Sequence, residues 1–257
     1  MWDKMPILRL IIILITLCIF VSAQNSSYSD SISNKKDFVY VLHGLAQGKW
    51  SMKLLALRLE KAGFVVERIG YKSINSTPED IIQDITDQIN ASLPDTSYTV
   101  HFVGHSLGGL MVRAYLDSNH IANLGRVVLI GTPNHGTPIV DKYRDSWWMK
   151  LLGSMPRALG TDEDSFPNSI SCPYYPVGII AGTMKTEINE GMIPGKDDGI
   201  VPLESTKLDQ MTDMIIIKTN HLFLPKSIPV AEQTIEFLRN GHFKKDDFQN
   251  QTLHQIK

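Results

Sequence analysis

The sequence predicts an α/β chain: a mainly parallel sheet flanked by helices on both sides, with a short inserted cap after the fourth recognised strand. Two observations predict this. Segments rich in β-branched and aromatic residues alternate with segments of helical pattern. The strand segments are also too apolar to leave either face in water, which argues parallel strands covered on both sides. A third observation locates the chemistry. Ligands of such sheets gather at the carboxyl ends of the strands, and one such end carries the run Gly104-His105-Ser106-Leu107-Gly108.

Taken in order, Phe38 to Leu42 reads as a strand and Ser51 to Ala62 as a helix, followed by Phe64 to Ile69 and Pro78 to Leu93 as the next pair. Tyr98 to Val103 is the third strand; after it Leu107, Leu110, Met111, Ala114 and Tyr115 recur at helical spacing as far as Ser118. Further strands are expected at Arg126 to Ile130, Val177 to Ala181 and Met214 to Thr219, and a closing helix from Val230 to about Asn240. Some forty residues between Gly131 and Val177 exceed an ordinary connection, and they contain "DSWWMKLLGSMPRAL". They read as a cap over about residues 138–175, inside a domain of residues 37–241.

The amino-terminal stretch pairs cationic Lys4 and Arg9 with an apolar run from Leu10 to Val21 and a small-residue site at Ser22-Ala23. That is the pattern of a secretory signal peptide over residues 1–23. The run falls short of the roughly 20 apolar residues of a spanning helix; an uncleaved membrane anchor is the alternative. Export to a periplasm or an outer medium is the matching expectation. Residues 24–36 form a polar leader and residues 242–257 a polar tail. With the peptide removed, Cys172 is the only cysteine left, which excludes an intramolecular disulfide.

Of the 257 residues, 43% are hydrophobic and 20% charged, and the formal net charge of −2 comes with no polybasic block. Neither nucleic acid nor a structural metal is signalled. The composition points to small-molecule or lipid partners, with a membrane surface as a further contact, and leaves the oligomeric state open.

The run 104–108 fits G-x-S-x-G, in which a strand-to-helix turn lifts a serine hydroxyl above the sheet. A serine at such a turn needs a histidine to accept its proton and an acid to hold that histidine in one tautomer. On this architecture the order is serine, acid, histidine. His221 follows the strand pattern "MIIIKTN", whereas His242 and His254 fall in the polar tail. Asp197 and Asp198 in "PGKDDGIVPLEST" both satisfy the order. Asp198, next to Gly199 and the apolar Ile200-Val201, is the one expected to point inward, with Asp197 solvated; spacing alone does not separate them. Glu204 and Asp209 read as solvated surface charges. The amide of Leu107, first in its helix, and that of Leu45, after His43-Gly44, are the candidate oxyanion donors. His43 reads as a histidine packing that loop.

These motifs, "HGL", "GHSLGG", "GTPNHGT" and "DDGIVP", lie in the order found in the α/β-hydrolase superfamily, and the chain resembles its bacterial lipase and esterase group from about Asp37 to Gly241. The resemblance implies a cofactor-free serine carboxylic-ester hydrolase with Ser106 as nucleophile, Asp198 as acid and His221 as base. The cap is much shorter than in large lipases of that group. Trp147, Trp148 and Leu151 in the insert are expected to line an acyl pocket, against the alternative that the insert merely packs on the domain. An acyltransferase or thioesterase would use the same residues; a non-catalytic binding protein of the same fold is the remaining alternative.

Overall fold

A computed structural model describes residues 36–186 and 191–245. The expected signal peptide, most of the polar leader and residues 246–257 of the tail lie outside the described residues. Six strands form one sheet in the order β2-β1-β3-β4-β5-β6: β1 (Lys36–Leu42), β2 (Val65–Ile69), β3 (Tyr98–His105), β4 (Leu124–Ile130), β5 (Val177–Gly182) and β6 (Asp213–Ile217). The pairs β1–β2, β3–β4, β4–β5 and β5–β6 run parallel. Each strand expected from the sequence is present within two residues of its predicted start, and β3 runs on to His105, next to the serine.

Alternation along the strands divides the core between the two sides of the sheet. Tyr40, Leu42, Val100, Phe102, Val127 and Ile179 face one side. They pack there with Ile81, Ile85 and Ile89 of α2 (Pro78–Ser92) and with α3 (Leu107–Ser118). Val39, Val41, Val103, Val128, Ile130 and Ile180 face the other, against Leu55 and Leu59 of α1 (Lys53–Lys61) and Val230 and Phe237 of the closing helix. The helix ends follow local chemistry. Thr77 and Asp80 form a reciprocal capping box ahead of α2, with Pro78 at its first position.

The insert folds as four short helices, α4 (Pro138–Tyr143), α5 (Trp147–Leu151), α6 (Ser154–Arg157) and α7 (Phe166–Ser169). The closing helix, α8, spans Ile228–Asn240 and stops at Gly241 in the left-handed conformation. The cap is tied to the loop before α2: the Asn75 amide donates to the Leu152 carbonyl at 3.0 Å, and the Met155 amide to the Ser76 carbonyl at 3.2 Å. Arg144 forms ion pairs with Asp141 and Asp162 inside the insert. Among the described residues no helix is long and apolar enough to cross a membrane.

Candidate active site

Ser106 stands between β3 and α3 with φ 55° and ψ −123°, a region that costs a non-glycine residue about 1–3 kcal/mol. Two glycines make the turn feasible. A Cβ on Gly104 would lie 2.5 Å from the Gly109 backbone, and one on Gly108 would lie 2.5 Å from the Leu42 carbonyl oxygen. The first turn of α3 therefore rests directly on the end of β1, which brings the loop after β1 beside the serine. Ser106 is also the N-cap of α3, yet its hydroxyl caps nothing. A serine at that position ordinarily accepts from the first-turn amides. Here the turned backbone aims the hydroxyl at His221 instead, with Oγ 2.9 Å from Nε2.

The His221 ring is fixed from its other side. Nδ1–H donates to Asp198 Oδ2 at 2.7 Å, which leaves Nε2 as the acceptor facing Ser106. Asp198 Oδ1 accepts from the Ile200 amide at 3.0 Å and the Val201 amide at 2.8 Å. The backbones are joined as well, the His221 amide donating to the Asp198 carbonyl at 2.9 Å. Both residues are buried, at 4% and 1% exposed, where charge-assisted hydrogen bonds gain strength. The structure thus brings Ser106, His221 and Asp198 into one hydrogen-bonded line.

Asp197, expected to stay solvated, is buried at 2% exposed, and this corrects the sequence reading. Its Oδ1 accepts from the Gly199 amide at 2.8 Å, and its Oδ2 pairs with the half-exposed Lys185 ammonium at 3.3 Å. The turn places the two neighbouring carboxylates on opposite errands, one toward His221 and one toward Lys185. Glu204 is exposed and paired with Lys207, and Asp209 is exposed. His242 is exposed too, while His254 lies outside the described residues.

Leu45 lines the same cavity as Ser106 and His221. Its loop is held by His43, whose Nδ1–H donates to the Gly44 carbonyl at 2.9 Å while Nε2 accepts from the Tyr71 amide at 3.3 Å. The Tyr71 ring stacks on His43 with centroids 4.1 Å apart, and its hydroxyl donates to the His43 carbonyl. Burial holds the His43 pKa below the usual imidazole value, in keeping with a neutral ring that packs the loop. Leu107 opens α3, so its amide has no intrahelical acceptor.

Several residues the sequence reading left unassigned support this line. The Thr137 hydroxyl donates to the Ile200 carbonyl at 2.6 Å, the Ser205 hydroxyl to the Gly136 carbonyl at 2.6 Å, and Asn134 Nδ2 to the Thr206 carbonyl at 2.7 Å. The "GTPNHGT" run therefore clamps the loop that carries Asp198. Arg113, buried in α3, reaches Asn134 Oδ1 at 3.1 Å and the Ile170 carbonyl at 3.1 Å, joining helix, clamp and cap. The motif was visible as a string; its partners, some seventy residues away, were not.

His105 lies directly beneath the site. It is fully buried, its ring 4.9 Å from that of His221, and Nε2–H donates to the His221 carbonyl at 3.1 Å. Burial first, and the neighbouring His221 second, hold its pKa well below 6.5. The unfolded chain therefore takes up a proton below that pH which the folded chain refuses, and stability falls as pH drops through it. Stability is therefore expected to fall progressively as pH drops below 6.5, until the folded pKa of this group is reached. Urea unfolding at pH 7.5, 6.5 and 5.5 measures the slope. His105→Gln, which keeps a donor for the carbonyl but does not titrate, makes it shallower, the buried His43 still contributing in the same direction; an unchanged slope refutes the assignment to His105.

A cavity of about 290 Å³ opens on Ser106. Pro133, Ile139, Val140, Met149, Leu152, Pro156 and Leu159 make its walls chiefly apolar, and Trp148 and Leu222 also border it. The expectation for the cap tryptophans is corrected in part. Trp148 lines the cavity, but Trp147 and Leu151 are 74% and 66% exposed and do not. The helical period explains the split: residues 147 and 151 share one face of α5, which points outward, whereas Met149 points inward.

None of the curated proteins matches the chain in sequence. Among solved structures, the chain is similar to the mature form of the Bacillus licheniformis lipase BlEst2, with a TM-score of 0.64 and 18% identity over 81% of this chain and 93% of that one. It is also similar to the Legionella pneumophila phospholipase PlaB, with a TM-score of 0.63 and 15% identity over 86% of this chain and 63% of that one. For the metagenomic carboxyl esterase MGS0156 the TM-score is 0.52 at 15% identity, over 75% of this chain and 66% of that one. At such identities the likeness establishes the fold, which is that of the α/β-hydrolases. The family model for palmitoyl protein thioesterase matches residues 38–169, a segment that holds Leu45, Ser106 and Leu107 and ends before Asp198 and His221. That match takes in just over half of the sequence, and the chain accordingly belongs to the palmitoyl protein thioesterase family.

Proposed function

We propose that the protein is a serine hydrolase that cleaves acyl esters and thioesters through an acyl-enzyme on Ser106. The observation that carries this reading is the hydrogen-bonded line from Ser106 through His221 to Asp198, opening on an apolar cavity. Oγ attacks the acyl carbonyl as Nε2 of His221 takes its proton, and buried Asp198 stabilises the imidazolium that forms. The carbonyl oxygen, now carrying negative charge, accepts from the amides of Leu45 and Leu107, the second of these at the positive end of α3. Collapse expels the alcohol or thiol, protonated by His221. A water then repeats the sequence against the acyl-enzyme, and the free acid leaves.

Family membership brings the thioester into the substrate class; the apolar walls favour a hydrocarbon acyl group over a charged one. A volume of about 290 Å³ falls just below the roughly 300–1,000 Å³ typical of ligand pockets, which favours acyl chains of moderate length. The test compares p-nitrophenyl esters of graded chain length with thioesters of the same acids, reading acid and thiol release. Activity is expected to peak at an intermediate length, and Leu152→Trp, which fills part of the cavity, should move the peak to shorter chains. A flat profile with every acid, in both proteins, removes the cavity from the account. An added alcohol that captures the acyl group in place of water turns the reading to an acyltransferase.

A further inference from the structure

Several large apolar side chains stand exposed beside residues that line the cavity, or on turns close to them in the chain, and nothing in the hydrolytic chemistry requires them. Trp147 and Leu151 project from the outer face of α5, next to the cavity-lining Trp148. Phe223 is exposed just beyond the cavity-bordering Leu222. Trp50, 67% exposed, stands in the 3-10 turn Lys49–Met52 that follows the Leu45 loop, and that turn packs against the turn Leu224–Lys226 that follows His221. Three separate segments thus expose large apolar groups, and two of them adjoin residues that line the cavity, Trp148 and Leu222.

Within these three segments the charged side chains share one sign. Lys53 Nζ lies 5.6 Å and Arg68 Cζ 5.0 Å from the Trp50 ring centre, and Lys226 Nζ lies 5.3 Å from that of Phe223. Residues 49–54, 147–152 and 222–228 hold Lys49, Lys53, Lys150 and Lys226 and no carboxylate. Asp145, just before α5, faces Arg157 at 4.0 Å. Aromatic rings flanked by cations on aliphatic stems match the layered chemistry of a bilayer surface, where rings sit among the headgroups and ammonium or guanidinium groups meet lipid phosphates.

We propose that these segments form a belt that docks the protein on an anionic phospholipid bilayer, with the cavity mouth turned toward the lipid so that an acyl chain passes into it directly. The purpose of docking rests on the hydrolase reading, but binding is measured in Ser106→Ala protein, so the two can fail separately. Among the described residues every member of both core clusters lies between Phe38 and Phe243, so a chain starting at Gln24 keeps all of them and omits the apolar run from Leu10 to Val21, which would itself seek lipid.

The experiment is co-sedimentation of that chain with phosphatidylcholine vesicles, with and without phosphatidylglycerol. Binding is expected to require phosphatidylglycerol and to weaken with salt. It should fall about tenfold in Trp147→Ser/Leu151→Ser and again in Trp50→Ser, since each change removes exposed apolar area that the lipid would cover. In the Ser106 protein the same substitutions should leave the rate on a soluble p-nitrophenyl ester unchanged. Absence of binding, or binding that the belt substitutions do not alter, overturns the proposal. So does concentration-dependent self-association lost in Trp147→Ser, because the belt then belongs to a second copy of the chain.

Discussion

Ser106→Ala is expected to lower kcat on ester and thioester substrates by about ten-thousandfold or more, with little change in folding. The size of the effect follows from the role. With Oγ gone, His221 has no proton to take and no acyl-enzyme forms, so the residual rate comes from water activated less effectively in the same cavity. The fold should survive because alanine carries the same Cβ at φ 55°, and neither adds to nor relieves the strain of the turn. The lost Oγ–Nε2 hydrogen bond is a local one at a half-buried hydroxyl. Steady-state kinetics, labelling by a fluorophosphonate probe and thermal unfolding separate the two consequences. The variant should take no label and unfold within a few degrees of the parent. Equal rates in parent and variant would end the acyl-enzyme account.

Asp198→Asn is expected to cost about ten-thousandfold in kcat, whereas Asp197→Asn stays within roughly tenfold of the parent. The difference is one of tautomer rather than charge alone. An asparagine at 198 keeps an oxygen for the Ile200 and Val201 amides and therefore turns its NH2 toward His221. Nδ1 must then accept, the ring proton moves to Nε2, and the nitrogen facing Ser106 can no longer take a proton. At 197 the change removes the pair with Lys185, whose half-exposed ammonium water can still solvate, leaves no uncompensated buried charge, and the Gly199 amide still finds an oxygen. Parallel kinetics of the two variants, with unfolding curves for both, decide the assignment. Comparable losses of kcat in both with unchanged folding would mean that the turn, and not the Asp198 carboxylate, governs the site.

Much of this was legible in one dimension because its causes are local. An apolar strand buried on both faces, Thr77 ahead of Pro78, and the glycines around Ser106 act within a few residues, so strands, helices and the serine turn could be read off directly. The Asp197 and Asp198 pair shows where such reading stops. Adjacent carboxylates are equivalent in spacing, and their fates diverge through Lys185 on one side and His221 on the other. The cap shows the same limit. Trp147 and Trp148 are neighbours in sequence, yet only the second reaches the cavity, since the seating of a five-residue helix is set by what it packs on. The supporting contacts of Thr137, Asn134, Ser205 and His105 were hidden because each joins residues roughly sixty to over a hundred positions apart.

By itself, then, the sequence determined the α/β order, the strand-to-helix turn at Ser106 and the succession of serine, acid and histidine, since periodicity, turn geometry and chain order are properties of short segments. Only the tertiary structure decided which aspartate meets His221, which cap residues line the cavity and which remain on its rim. Those outcomes depend on packing and hydrogen bonds between distant segments, and no local pattern of residues records them.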